Sequence, residues 1–164
     1  MLQLDGVQLP ELKCECLTLK CHITKFNLYG VASLLQASPY VETLNIDTGS
    51  YDICIYGRFE SSYLCKGDQI DFESCISNVT VPNLKSVKIV YSIRMCCEPS
   101  DKLFKLSEFL LKDAMALEKF LLVAKRRMCW ICNSKKFVAQ YSSRLASNLL
   151  ACRRPSTNFM MTFH

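Results

Sequence analysis

Four times along the chain the apolar positions fall into one six-residue frame, apolar-x-x-apolar-x-apolar. The frames are Cys14-x-x-Leu17-x-Leu19, Val41-x-x-Leu44-x-Ile46, Leu84-x-x-Val87-x-Ile89 and Leu117-x-x-Phe120-x-Leu122. The last two apolar positions of each frame alternate with their neighbours, the period of a strand with one buried face. Between the frames the period lengthens to that of a helix. Val31, Leu34 and Leu35 share a helical face, and Ser38-Pro39 ends that segment because the residue before proline avoids the α region. Leu103, Leu106, Leu110 and Ala114 repeat at helical spacing, Phe109 and Leu111 widen the stripe, and Ser100 is placed to cap the helix after Pro99. Val138, Tyr141, Leu145 and Leu149 predict a third helix, which Pro155 follows rather than interrupts. Asn158 to Phe163 reads as a closing strand.

The frame is the L-x-x-L-x-L core of a leucine-rich repeat, with a helix between successive strands. One strand–helix unit cannot hide its apolar face alone, so neighbouring units stack to share a core. The predicted fold class is therefore α/β: an irregular leucine-rich-repeat solenoid, with one curved, mostly parallel sheet and helices on its other side. The frames open at 14, 41, 84 and 117, giving intervals of 27, 43 and 33 residues. Regular repeats run ~20–29 residues, so the array is irregular. The excess of the second interval lies between Asp47 and Thr80, where Tyr51 to Tyr56 alternates like an extra strand. The chain divides accordingly into terminal repeats (1–50), an insertion or linker (51–79) and a further repeat region (80–164). Leu2, Leu4, Val7, Leu9 and Leu12 read as the end of an earlier repeat with no cap before it. The expectation is a truncated piece with a sticky N-terminal face.

Half of the 164 residues are hydrophobic and 21% are charged, which excludes wholesale disorder. Net charge is +5, but the densest basic runs, Lys125-Arg126-Arg127, Lys135-Lys136 and Arg153-Arg154, are short. They read as solvated helix ends and loops, and nucleic acid is not an expected partner. Met1 to Asp5 has neither a basic nor an apolar signal region, and no stretch approaches the ~18 apolar residues that span a bilayer. The 11 cysteines then sit in a reducing compartment, cytoplasmic or nuclear, as small apolar groups.

Cys14, Cys16, Cys21, His22, the pair Cys96-Cys97 and Cys129-x-x-Cys132 raise the question of zinc. A structural site takes four ligands, usually as two closely spaced pairs. Only Cys129 and Cys132 have that spacing and no second pair matches them, so no metal or cofactor is expected. The same two thiols lack the proline and glycine surroundings of a redox motif. Two histidines and no G-x-S-x-G, P-loop, H-E-x-x-H or G-x-G-x-x-G leave no catalytic constellation, and an enzyme is not expected. What remains is the outward side of the strands: Thr18, Lys20, Asn45, Asp47, Lys88 and Val90, followed by Leu121 and Val123. The first six are the candidate protein-binding residues, with plain solvent exposure as the alternative for each.

Two blocks resemble plant F-box proteins that carry leucine-rich repeats and a C-terminal FBD domain. Cys16-Leu17-Thr18-Leu19-Lys20 through Leu34-Leu35-Gln36-Ala37-Ser38-Pro39-Tyr40-Val41-Glu42-Thr43-Leu44 is similar to the last repeat before the FBD region. Val81-Pro82-Asn83-Leu84-Lys85-Ser86-Val87-Lys88-Ile89, continuing to Phe109-Leu110-Leu111-Lys112-Asp113-Ala114-Met115-Ala116-Leu117-Glu118-Lys119-Phe120, is similar to the FBD region itself. Residues 126–136, with Cys129-Trp130-Ile131-Cys132, depart from the pattern, and nothing in the chain resembles an F-box. The resemblance implies the substrate-recognition end of a Skp–cullin–F-box ubiquitin ligase subunit, which holds a target protein while other subunits transfer ubiquitin. Skp and cullin would join only through a longer form carrying the F-box, and no membrane partner is implied. The alternatives are a gene fragment without independent function and a zinc-stabilised structural module.

Overall fold

The computed structural model describes residues 9–21, 25–48, 76, 79–94, 101–127, 137–152 and 157–163, and the architecture is that of these residues. Along the chain come β1 (Cys16–Lys20), α1 (Lys25–Gln36), β2 (Thr43–Asp47), β3 (Ser86–Arg94), α2 (Asp101–Asp113), β4 (Lys119–Arg127), α3 (Phe137–Cys152) and β5 (Asn158–Phe163). The five strands form one sheet in chain order, β1-β2-β3-β4-β5, and every pairing is parallel. Helix α1 lies beside α2, and α2 beside α3. The molecule is thus α/β, with each strand next to the one before it.

The frames of the sequence become columns of the sheet. Leu17, Leu44, Val87, Phe120 and Phe159 are register partners in succession, and so are Leu19, Ile46, Ile89, Leu122 and Met161. These columns face the helices and form a single core with Leu28, Val31, Ala32 and Leu35 of α1, Leu103, Leu106 and Leu110 of α2, and Leu145 and Leu149 of α3. In the three central strands the column residues are 0–1% exposed. In the edge strands Leu17, Leu19, Phe159 and Met161 are only half-buried, because each has a neighbour on one side alone. The Phe120 and Phe159 rings stack at 5.8 Å and 19°, extending the column to β5.

Strands β3 and β4 run for nine residues each, longer than the frames predict. Alternation continues beyond the frame, with Tyr91 and Ala124 buried in the next inward row. Lys125-Arg126-Arg127 therefore completes β4 and does not form the helix end or loop read from its charge. The strand alternation of 51–56, the Ser100 cap and Pro155 lie outside the described residues, as do Lys135-Lys136 and Arg153-Arg154.

The approach to each strand is also repeated. Val41 N–H donates to Ser38 O, Leu84 to Val81 O and Leu117 to Ala114 O, a one-turn reversal two residues before β2, β3 and β4. The next carbonyl then accepts two successive N–H groups from the following strand. Glu15 O takes Glu42 and Thr43, Glu42 O takes Lys85 and Ser86, and Lys85 O takes Glu118 and Lys119. Glu118 O accepts from Asn158 N–H in turn. Side chains clasp the same edge: Asn83 Nδ2 donates to Pro39 O at 2.9 Å, Thr157 Oγ1 to Leu117 O at 3.1 Å, and Lys85 Nζ to Glu42 Oε1 at 2.6 Å. Ser38 closes α1 by donating its hydroxyl to Leu34 O at 2.6 Å and its N–H to Leu35 O. This satisfies carbonyls that the helix end leaves open.

The hydrogen bond and charge of Glu42 push the Lys85 ammonium above the ordinary lysine range, with Glu118 and Glu15 adding to the effect. A raised lysine pKa stabilises the fold fully below the unfolded value, and that stabilisation is lost as pH rises through the folded one. Two predictions follow from this architecture. Phe120→Ala should cost about 3–5 kcal/mol in urea denaturation, whereas Met115→Ser, at a position 75% exposed, should stay within about 0.5 kcal/mol; equal costs would contradict the assigned core. In an NMR titration of lysine side chains, the Lys85 midpoint should fall when Glu42 is replaced by Gln, and an unchanged midpoint would break the pairing.

Candidate functional site

The sheet has a second face, built by the residues between the buried columns. Register partners place them in rows: Cys16, Thr43, Ser86, Lys119 and Asn158; then Thr18, Asn45, Lys88, Leu121 and Met160; then Lys20, Asp47, Val90, Val123 and Thr162. A shorter fourth row holds Ser92 and Lys125. All six residues predicted as protein-binding lie here: Thr18, Lys20, Asn45, Asp47, Lys88 and Val90 fill two adjacent rows of β1, β2 and β3. Parallel sheets usually have both faces covered, and their strands then read as continuous apolar runs. β1 and β2 alternate instead, whereas β4 runs apolar from Phe120 to Ala124.

The two halves of this face differ. Over β1 and β2 it is polar, and Asn45 Nδ2 donates to Thr18 Oγ1 at 3.4 Å and approaches Cys16 Sγ at 3.7 Å. Over β3 to β5 Leu121, Val123, Val90 and Met160 form an apolar centre. Met160 is 47% exposed, a large apolar side chain left in water. Val123 is 9% exposed yet lies outside the core cluster. It is a β-branched residue on a central strand, with Val90 and Thr162 as its register partners. Around this centre stand Lys88, Lys119 and Lys125, all exposed, with Lys20 at the far edge. Met160, Lys119 and Lys125 were not among the predicted site residues. The signal for them was the same period of two, carried past each frame and into β5.

The thiols divide between the faces. Cys16 is exposed on the open face, whereas Cys21 is half-buried, and burial pushes its thiol above the ordinary range. Cys152 of α3 lies near Glu108 of α2, with Sγ 3.8 Å from Oε1. Burial and then the Glu108 charge raise its thiol as well. Glu108 also holds Lys112 at 2.6 Å, one turn along α2. Among the described residues no group of three or more His, Cys, Asp or Glu side chains is placed to share a metal ion. Cys96, Cys97, Cys129, Cys132 and His22 lie outside those residues. No described helix is long and apolar enough to cross a membrane.

Thiolate is the reactive form of cysteine, so exposure and pKa act together. In the native protein Cys16 should be alkylated by iodoacetamide several-fold faster than Cys21, read by peptide mass spectrometry. Faster modification of Cys21 would contradict the assignment of the open face.

Set against family models, curated proteins and solved structures, the chain matches none.

Proposed function

We propose that this chain is a non-catalytic protein-binding module of irregular leucine-rich-repeat type, which takes its partner on the open face of the sheet. The observation that carries the reading is the alternation held in register across five strands. It buries the inward columns of the three central strands and leaves Leu121, Val90 and Met160 on the other side, around the buried Val123 and inside a polar and cationic rim. Protein interfaces have that composition at their cores and rims. The repeated reversal before each strand, and the placing of successive strands side by side, support the repeat reading because stacked identical units share such connections.

Within that reading, the likeness of two blocks to plant F-box proteins with an FBD domain makes the chain the target-holding end of a ubiquitin-ligase subunit. Its action is then non-covalent and its place the cytosol or nucleus. Skp and cullin belong to a form that carries an F-box.

A tagged chain, its open-face variant Leu121→Asp/Met160→Asp and the control Met115→Asp should be compared as baits in a cell extract, each first shown to unfold cooperatively. Proteins captured by the wild type and the control should fall about tenfold or more with the open-face variant, a loss of at least ~1.4 kcal/mol in binding. Equal capture by all three baits contradicts the proposal, and stoichiometric Skp and cullin on this chain would contradict its role as a target-holding arm alone.

A further inference from the structure

We infer that the occupant of the open face is an extended, acidic segment of a partner protein, lying across β3, β4 and β5 with a large apolar residue at Leu121 and Met160. This inference rests on the protein-binding reading above and specifies the partner's chemistry. Charge points to it first. The described charged side chains of the face are Lys20, Lys88, Lys119 and Lys125 against Asp47 alone. All four lysines are exposed, and none makes an ion pair with another described residue, in contrast to Lys85 and Lys112. A cationic rim of this kind attracts and orients an anionic partner.

Size points the same way. Five strands spaced ~4.8 Å apart make a face ~19 Å wide, and four rows at two residues each make it ~20 Å long. That footprint of roughly 400 Å² is about half of the ~800 Å² per partner that a stable globular interface buries. An extended segment needs only about three residues to cross the ~10 Å from β3 to β5 at ~3.3 Å each. Such a segment can set alternate side chains between the lysines and the apolar centre. Strands β3 and β4 have both edges paired, so over them the segment docks through its side chains rather than by adding to the sheet. Single-stranded nucleic acid shares the negative charge, but its bases stack on aromatic side chains. The described part of this face carries aliphatic residues and no aromatic one.

The test is a selection of random phage-displayed peptides of roughly ten residues on the immobilised full chain. Binding of each enriched peptide is then measured by fluorescence anisotropy to wild type, Lys88→Glu/Lys119→Glu and Leu121→Asp/Met160→Asp, with circular dichroism confirming that all are folded. The expected result is enrichment of acidic peptides carrying a large apolar residue. Each should bind the lysine variant at least about tenfold more weakly and also lose affinity to the apolar variant. Enriched peptides that are neutral or basic, or that bind the lysine variant unchanged, overturn the acidic partner. If those peptides are still lost with the apolar variant, the protein-binding reading stands. Peptides indifferent to both variants, or no enrichment on a folded chain, overturn that reading as well. A labelled oligothymidylate that binds more tightly than any peptide, and is lost with the lysine variant, overturns the inference in favour of nucleic acid.

Discussion

One hydrogen-bonding device fixes the rest of the structure: the carbonyl before each strand that accepts two successive N–H groups from the next. Glu15, Glu42 and Lys85 each do this, and Glu118 passes the arrangement to β5. Because each acceptor holds the same position relative to its strand, every strand starts in phase with the one before. The side-chain period of a strand is two, so phase decides everything about burial. A slip of one residue between β2 and β3 would turn Leu44 and Ile46 toward solvent and carry Asn45 into the core. The in-phase start makes the frames of the sequence into the columns of the core.

The same phase creates the open face without any dedicated element. Burying Val87, Ile89, Phe120 and Leu122 against the helices commits Lys88, Val90, Leu121 and Val123 to the other side. The core is mainly apolar, with Ser107 and Ser142 also buried, whereas the open face grades from Thr18 and Asn45 to Leu121 and Met160. The core and the open face therefore rest on alternate residues of the same strands. Substitutions at exposed positions of that face, such as Met160, carry a small cost to folding, since such positions usually contribute within about 0.5 kcal/mol.

Much of this was legible in the sequence because apolar spacing is a local signal. The four frames marked β1 to β4 in their correct relative phase, the alternation from Asn158 marked β5, and the stripes at Leu103 to Ala114 and Leu145 to Leu149 marked helices. The six residues predicted for the outer side of the sheet share the open face for the same reason. Other features are not local. The Lys85–Glu42 pair and the Asn83–Pro39 bond join residues 43 and 44 positions apart, and no pattern in either segment names its partner. The run Lys125-Arg126-Arg127 reads as a solvated end because its charges are consecutive, although β4 continues through it. Val123 reads as outward, yet it is 9% exposed, which the alternation alone does not signal.

The claim that recognition occurs on the open face is tested most directly by lysine footprinting with a captured partner. The chain is acetylated briefly with and without the partner, and each lysine is read by mass spectrometry. The account predicts that Lys88, Lys119 and Lys125 become protected on binding while Lys112, exposed on the helical side, reacts as before. Protection of Lys112 with the open-face lysines unchanged would place the partner on the helices and contradict the account.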